Sequence, residues 1–476
     1  MIRHAIVLFR VQHLGFSTFI PYNISMHLTF FLDRKNKPET AKAQVFYLIV
    51  SLFEGMVISF LTIFLNQCRK ELLWTDTMSS LSLFLPPFVA SLSIFICSFL
   101  VSHQKRNLFL MRILLFSSFF LILAFSLTGL FLDNGITADG VISDPGRYRL
   151  LFLLFLVFSS LLMGIHWSFL SFHSSCIADI NYAEKTRYGH VCLYGVLSGA
   201  IASPIAGYLA ECLYVGYKGY LFLFLLASPI LILLFVFTYF FRPFPSNLFH
   251  SDEDERVKTG LLFKNRNYVF YLFLASLWIP LIWASNSLTS DLWTSYESTT
   301  STLNAFNSLT WGFYLSVSYF FEFVIIFLNT HFGIGKKVSF SLTLALLMIF
   351  VETLLLGVLS YFYTGESEAS LSLAIAIILL HSFKGMSNGL YLTSNIAILT
   401  HILGPKKRRK AVFIAPSIFQ LVNSVLQLSY PYLNSMLYTA FFLMAGIAFF
   451  GFLLSLYFDK KHLNFPSKEQ NRKQKE

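Results

Sequence analysis

Apolar blocks long enough to cross a lipid bilayer recur along this chain, and no other feature limits its fold as strongly. A hydrocarbon core about 30 Å thick needs roughly 20 predominantly apolar residues in helix. Helix is the natural choice because it pairs its own backbone groups where no water can. From residue 43 onward twelve such blocks can be read: about 43–67, 78–102, 107–132, 150–176, 188–211 and 219–241, then 268–288, 307–328, 338–363, 371–399, 411–430 and 437–457. A soluble protein would need polar surface to cover them. Only 12% of the 476 residues are charged and 56% are hydrophobic, where a soluble domain carries roughly 25% charged residues. The expected class is all-α, a polytopic membrane protein of two six-helix bundles with an extra hydrophobic segment at the N-terminus.

Charge placement tests the count of spans. A stretch at 242–266, with Pro243, Pro245 and the run Asp252-Glu253-Asp254-Glu255, divides six blocks from six and reads as a solvated linker. If it is cytoplasmic, every second loop is too, and that set with the tail holds 26 of the 35 Lys and Arg, against four in the opposite set. Such a bias is what the positive-inside rule demands, and one helix too many or too few would scramble it. The net charge of +11 therefore points to a membrane surface rather than to nucleic acid, and the C-terminus is expected in the cytoplasm. Nothing in the sequence indicates which membrane. The expected organisation is 1–42 as hydrophobic segment and basic loop, 43–241 as the first half, 242–266 as linker, 267–458 as the second half, and 459–476 as basic tail.

Residues 5–32 are apolar but contain Arg10, His13 and Pro21-Tyr22-Asn23. They are compatible with a span, an interfacial segment or targeting information; a cleaved signal is disfavoured, because the run is long and lacks a small-residue cleavage site. If it spans, Asn23-Ile24-Ser25 becomes a glycosylation sequon on the far side. Cys68, Cys97, Cys176, Cys192 and Cys212 form no paired motif and read as small packing residues.

Polar residues inside the blocks carry the functional signal, because an ionisable group in mid-bilayer normally faces a cavity or a partner. On the tenth block His381, Lys384, Asn388, Tyr391 and Asn395 follow steps of three and four, hence one helical face. Lys384 lies too far from either end to snorkel. The eighth block places Trp311, Tyr314, Ser318, Glu322 and Asn329 on one face, and Glu322 is a possible partner for Lys384. Gln420, Asn423 and Gln427 suit hydrogen bonding to a solute or, equally, amide contacts between helices. In the first half Glu54 is mid-block, and His166 and His173 share a face. Trp278 and Asn286 are expected to line a cavity, whereas Trp283 reads as part of an interfacial aromatic belt and Glu352 as interfacial or structural. Gly195, Gly199, Ser203 and Gly207 recur every four residues, a spacing that lets helices pack closely.

No phosphate-binding glycine loop, zinc-protease motif, nucleophile elbow or paired carboxylates are present. The expected reading is therefore not an enzyme, with no cofactor. The histidine spacing is not that of a metal site.

The pattern of six spans, basic linker, six spans and basic tail resembles the major facilitator superfamily. Local features agree: residues 179–188 with Arg187, followed by Ser198-Gly199-Ala200-Ile201-Ala202-Ser203-Pro204-Ile205-Ala206-Gly207, are similar to that family's fourth and fifth helices. Asn329-Thr330-His331-Phe332-Gly333-Ile334-Gly335-Lys336-Lys337 lies where the family has Asp-Arg-x-Gly-Arg-Arg, with the glycine and basic pair present and the acid missing. Ser102-His103-Gln104-Lys105-Arg106 is a weaker match after the second helix. A narrower resemblance is to equilibrative nucleoside transporters: Gly385-Met386-Ser387-Asn388-Gly389-Leu390-Tyr391 with Gly404-Pro405-Lys406-Lys407, and Pro21-Tyr22-Asn23. That family has eleven spans and charged residues in its eighth helix where the alignment here gives Phe332 and Lys336.

The resemblance implies a secondary transporter working by alternating access, with a small polar or anionic solute, the bilayer and, in a coupled mechanism, protons as its partners. His381, Lys384, Asn388, Tyr391, Trp278, Asn286, Gln420, Asn423 and His166 are the expected solute contacts, and Glu54 and Glu322 the expected proton carriers. The alternatives are a facilitative nucleoside transporter and a non-transporting receptor or trafficking partner built on a transporter fold.

Overall fold

The computed structural model describes residues 38–462 except 102–103, 135, 137–141, 185–187, 215, 242–258, 296–304, 333–337, 364–370 and 434–435. The 5–32 segment with its sequon, Arg187, most of the 242–266 linker, Lys336 and Lys337, and the tail after 462 lie outside the described residues.

Twelve helices long and apolar enough to cross a membrane are present among the described residues. In the first half they are α1 (Pro38–Glu71), α2 (Asp76–Leu100), α3 (Arg106–Leu130), α4 (Pro145–Asn181), α5 (Tyr188–Leu213) and α6 (Tyr217–Phe240). In the second they are α7 (Arg266–Ser295), α8 (Ser308–Thr330), α9 (Ser341–Phe362), α10 (Leu371–Gly404), α11 (Lys407–Leu428) and α12 (Leu437–Tyr457). The protein is a multi-pass integral membrane protein. Several helices outrun the apolar blocks that encode them, because their polar ends continue the helix past the hydrocarbon. Local chemistry sets the starts: the Thr75 side chain accepts the Met78 N–H at 3.2 Å before α2. Asp144 does the same for Arg147 N–H at 3.0 Å, with Pro145 in the first turn of α4. Gly404, at φ +73°, turns the chain between α10 and α11, a conformation that favours a residue without Cβ.

The helices divide into lipid-facing and central ones. Of the apolar stretch of α3 only 33% is buried, and its Phe109, Phe116 and Phe120 stand exposed; α5 is 61% buried. The small-residue stripe explains that depth. A Cβ on Gly55 of α1 would lie 3.2 Å from Gly199 Cα, and one on Gly207 would lie 2.2 Å from the Ser308 carbonyl oxygen of α8. Helix α5 is thus pressed between α1 of its own half and α8 of the other. The second seam runs between α2 and α11, where Ser417 Oγ donates to the Ser91 carbonyl at 2.9 Å.

Helix α1 is interrupted. Residues Ile58–Phe60 tighten into a 3₁₀ turn between its two α-helical segments. Irregular backbone at membrane depth is tolerated where it borders a cavity or is buried in protein. Ile58, Ser59 and Thr62 lie on such a border.

Candidate functional site

A cavity of roughly 360 Å³ lies between the halves, lined by residues of α1, α4, α5, α7, α8, α10 and α11. That volume falls at the lower end of the range for small-molecule sites.

Its second-half wall carries several hydrogen bonds between helices. Lys384 Nζ donates to Asn286 Oδ1 of α7. One turn earlier on α10, His381 Nδ1 lies 3.1 Å from Glu352 Oε1 of α9, and its ring stacks on Tyr314 with centroids 3.6 Å apart. Trp278 and Tyr391 stack at 4.0 Å. Trp278 Nε1 donates to Ser387 Oγ at 2.6 Å, and Ser387 in turn donates to the Ala345 carbonyl at 2.7 Å. Tyr271 joins this wall through the Tyr391 hydroxyl at 3.2 Å and through Asn395. Close approach of the backbones makes this possible: a Cβ on Gly385 would sit 2.0 Å from the Ser318 carbonyl oxygen. Only glycine lets α10 come that near to α8.

The first-half wall is more loosely held. Glu54 lines the cavity and lies 3.7 Å from His166 Nε2, within ion-pair range but beyond hydrogen-bond length. His173 lines the cavity, stacked on Tyr47 and Phe169 at 5.5 and 5.9 Å. Among the described residues neither His166 Nε2 nor His173 Nε2 has a hydrogen-bond partner. The two walls meet at Ser59 and Tyr319, whose hydroxyls are 2.8 Å apart. They meet again at Trp167 and Trp283, edge to face at 5.6 Å.

Six of the expected solute contacts, His381, Lys384, Asn388, Tyr391, Trp278 and Asn286, line this cavity, as do Glu54 and Glu322. Three do not. His166 stands behind Glu54. Gln420 and Asn423 form an amide ladder away from the lining: Asn423 Nδ2 donates to Gln420 Oε1 at 3.4 Å, and Gln427 Nε2 donates to Asn423 Oδ1 at 3.4 Å. The ladder ends on α7, where Gln427 Nε2 donates to Ser287 Oγ at 3.1 Å. Helix α11 offers the cavity Val412, Ala415 and Pro416 instead.

Other expectations are corrected. Lys384 gives its hydrogen bond to Asn286 rather than to Glu322, which accepts from Asn388 Nδ2 at 3.5 Å; the two charges still interact electrostatically. Trp283 is a cavity residue and not part of a belt. Glu352 is wholly buried and lies 3.1 Å from His381 Nδ1, which fits the structural rather than the interfacial of its two expected places.

The sequence also concealed Tyr47, Tyr188, Tyr319 and Trp167, all of which line the cavity. Tyr47 lies two helical turns before Glu54 and Tyr319 one turn before Glu322, so helical periodicity could have found those two. No such signal marks the others.

Ionic contacts close the seam at both ends. Asp179 at the end of α4 meets Arg408 and Arg409 at the start of α11, each at 3.1 Å. At the opposite end Arg69 of α1 lies 3.6 Å from Asp291 of α7, where Lys70 Nζ also donates to the Thr294 carbonyl at 3.2 Å. The Arg408–Asp179 contact ties α4 of the first half to α11 of the second. Its basic members had read only as part of the cytoplasmic charge bias.

No family model matches the sequence, and a search of curated proteins likewise finds no match. Solved structures do match. A mutant of the nucleoside transporter NupG superposes with a TM-score of 0.58 at 11% identity, covering 88% of this chain and 99% of that one. The proton:xylose symporter XylE, of the major facilitator superfamily, bound to 6-bromo-6-deoxy-D-glucose, gives 0.58 at 14% identity, covering 92% and 96%. At such identities the likeness concerns architecture. Two six-helix halves around a polar mid-membrane cavity, matched over nearly the full length of both proteins, give this chain the fold of the major facilitator superfamily.

Proposed function

We propose that the protein is a secondary transporter that moves a small polar metabolite by alternating access, its solute held in the central cavity. One observation carries this reading: charged side chains of both halves, Glu54 from the first and Glu322 and Lys384 from the second, line one cavity at the seam. Groups so costly in lipid are retained where a pathway needs them, and a site at the boundary of two bundles is what rocking halves expose to each side in turn. The ionic contacts at the two ends of the seam are suited to break alternately. His381, Lys384, Asn388, Tyr391, Trp278 and Asn286 contact the solute. Gln420 and Asn423 act as helix-to-helix contacts, and His166 acts through Glu54. Two carboxylates face one ammonium in this lining, which favours a neutral polar solute over an anion. In a proton-coupled cycle Glu54 and Glu322 carry the proton. The basic tail and linker face the cytoplasm under the positive-inside rule.

A second reading is facilitative nucleoside transport. The Trp278–Tyr391 stack, with Trp167 and Trp283 also in the lining, offers aromatic walls to a planar solute, and one structural neighbour is named a nucleoside transporter.

Purified protein in liposomes, offered a panel of sugars, nucleosides and small neutral metabolites with and without a pH gradient, separates the two. Saturable uptake stimulated by an inward proton gradient supports coupled transport. Uridine or adenosine uptake indifferent to the gradient supports the second reading. No uptake of any solute overturns both and leaves a non-transporting receptor.

A further inference from the structure

We infer that the groove between α3 and α6, outside the solute cavity, holds an anionic phospholipid with its phosphate on the guanidinium of Arg112.

Arg112 lies six residues past the start of α3 at Arg106, about 9 Å along the helix axis. The headgroup zone is roughly 5–8 Å deep on each side of the hydrocarbon, so the guanidinium stands near the boundary between the two. It is held by the last turn of α6, where Thr238–Phe240 tighten into a 3₁₀ turn. Arg112 Nε donates to Thr238 Oγ1 at 3.0 Å, and Nη2 donates to the Thr238 carbonyl at 3.1 Å. The guanidinium lies over the Tyr239 ring at 3.9 Å. Capping the end of α6 accounts for these contacts. It does not account for the charge.

The bonded partners are neutral, and no carboxylate among the described residues lies within ion-pair range of Arg112. A guanidinium has five N–H donors, of which these contacts use two. Nη1 has no hydrogen-bond partner among the described residues, yet it is not shut away from the surface. An uncompensated cation at this depth is costly, and its surroundings are apolar. Phe109 and Phe116, three residues before and four after Arg112, share its helical face; they are 58% and 48% exposed, and Tyr239 is 60% exposed. Phe116 packs on Phe235 at 5.7 Å, and Phe235 on Tyr239 at 5.6 Å. One aromatic wall therefore runs from the guanidinium deeper into the bilayer, along the path an acyl chain takes below its phosphate.

Charge selects the lipid. A phosphatidylcholine headgroup brings its own cation, for which the groove offers no carboxylate beside Arg112. A phosphatidylglycerol headgroup brings a net negative charge to a net positive site. Thr238 also lies just before the 242–266 linker, on the side that the loop charges give to the cytoplasm, and anionic lipids gather in that leaflet.

The test is native mass spectrometry of the full-length protein in detergent with equimolar phosphatidylglycerol and phosphatidylcholine. Wild type is expected to retain phosphatidylglycerol with about a fivefold preference. Arg112→Gln is expected to reduce the preference below about twofold, whereas Arg106→Gln, at an exposed arginine of the same helix, leaves it in place. No preference in wild type, or an undiminished one in folded Arg112→Gln, overturns the inference. Because Arg112 also caps α6, wild type is tested separately with phosphatidylglycerol carrying a diazirine near the head of one acyl chain. Crosslinks are expected within 109–116 and 235–240; crosslinks confined to other segments overturn the site even if Arg112→Gln does not fold. Inorganic phosphate in about 100-fold excess is expected to leave the lipid bound, since it lacks the chain that the aromatic wall holds. Displacement by it would make free phosphate the ligand and overturn the lipid. None of these readings requires flux, so they stand apart from the transport reading.

Discussion

The two walls of the cavity are built on opposite plans. In the second half the polar groups named above are mostly held from behind: Lys384 by Asn286, His381 by Glu352, Trp278 by Ser387. In the first half Glu54 has only a histidine at 3.7 Å, and among the described residues His166 Nε2 and His173 Nε2, like His381 Nε2 of the second half, have no hydrogen-bond partner. The backbone of the first half is also broken, at Ile58–Phe60. A polar network with more of its groups bonded is stiffer and more specific, and one with fewer rearranges at lower cost. From this contrast we propose that the second half chiefly holds the solute and the first half chiefly responds to it.

That division can be broken experimentally. Lys384→Ala is expected to have the largest effect, an approximately 100-fold fall in uptake of whichever solute the liposome panel identifies, since hydrogen bonds to charged groups contribute about 1.5–3 kcal/mol. Uptake within twofold of wild type would remove the second-half wall from recognition. Glu322→Gln is expected to abolish stimulation by a pH gradient and lower gradient-driven uptake about tenfold, whereas Glu54→Gln, at a side chain still 24% exposed, lowers it several-fold. Equal loss in both would make the two walls partners in proton handling. His166→Gln should raise the KM less than about threefold, because it touches the site only through Glu54. Asn423→Ala is the smallest: uptake close to wild type, with stability lowered by about 1 kcal/mol for a lost buried hydrogen bond in thermal unfolding. A large transport defect there would return the amide ladder to the solute path.

Much of the cavity was legible before any coordinates, for a specific reason. On α10 the expensive residues recur at helical spacing, so His381, Lys384, Asn388 and Tyr391 had to share a face, and mid-span depth made that face point inward. The same reasoning left Gln420 and Asn423 open between a solute and a helix contact. Their spacing shows a shared face but cannot say whether it meets the cavity or α7. Trp283 lines the cavity although its place near the end of an apolar block had suggested a belt, because position along a helix does not say which way a side chain faces. The Glu352–His381 contact was invisible because it joins two helices whose relative rotation no local pattern records.

The number of spans and their alternation across the membrane were set by the sequence alone, since lipid leaves a chain of such apolar blocks no structure but helices and the loop charges orient them. Which polar faces meet was decided by tertiary packing: the glycines that press α5 against α1 and α8, and α10 against α8, set the rotation of each helix to within a side chain. Hydrophobicity is nearly uniform around a helix in lipid and cannot choose that rotation; close packing and buried hydrogen bonds can.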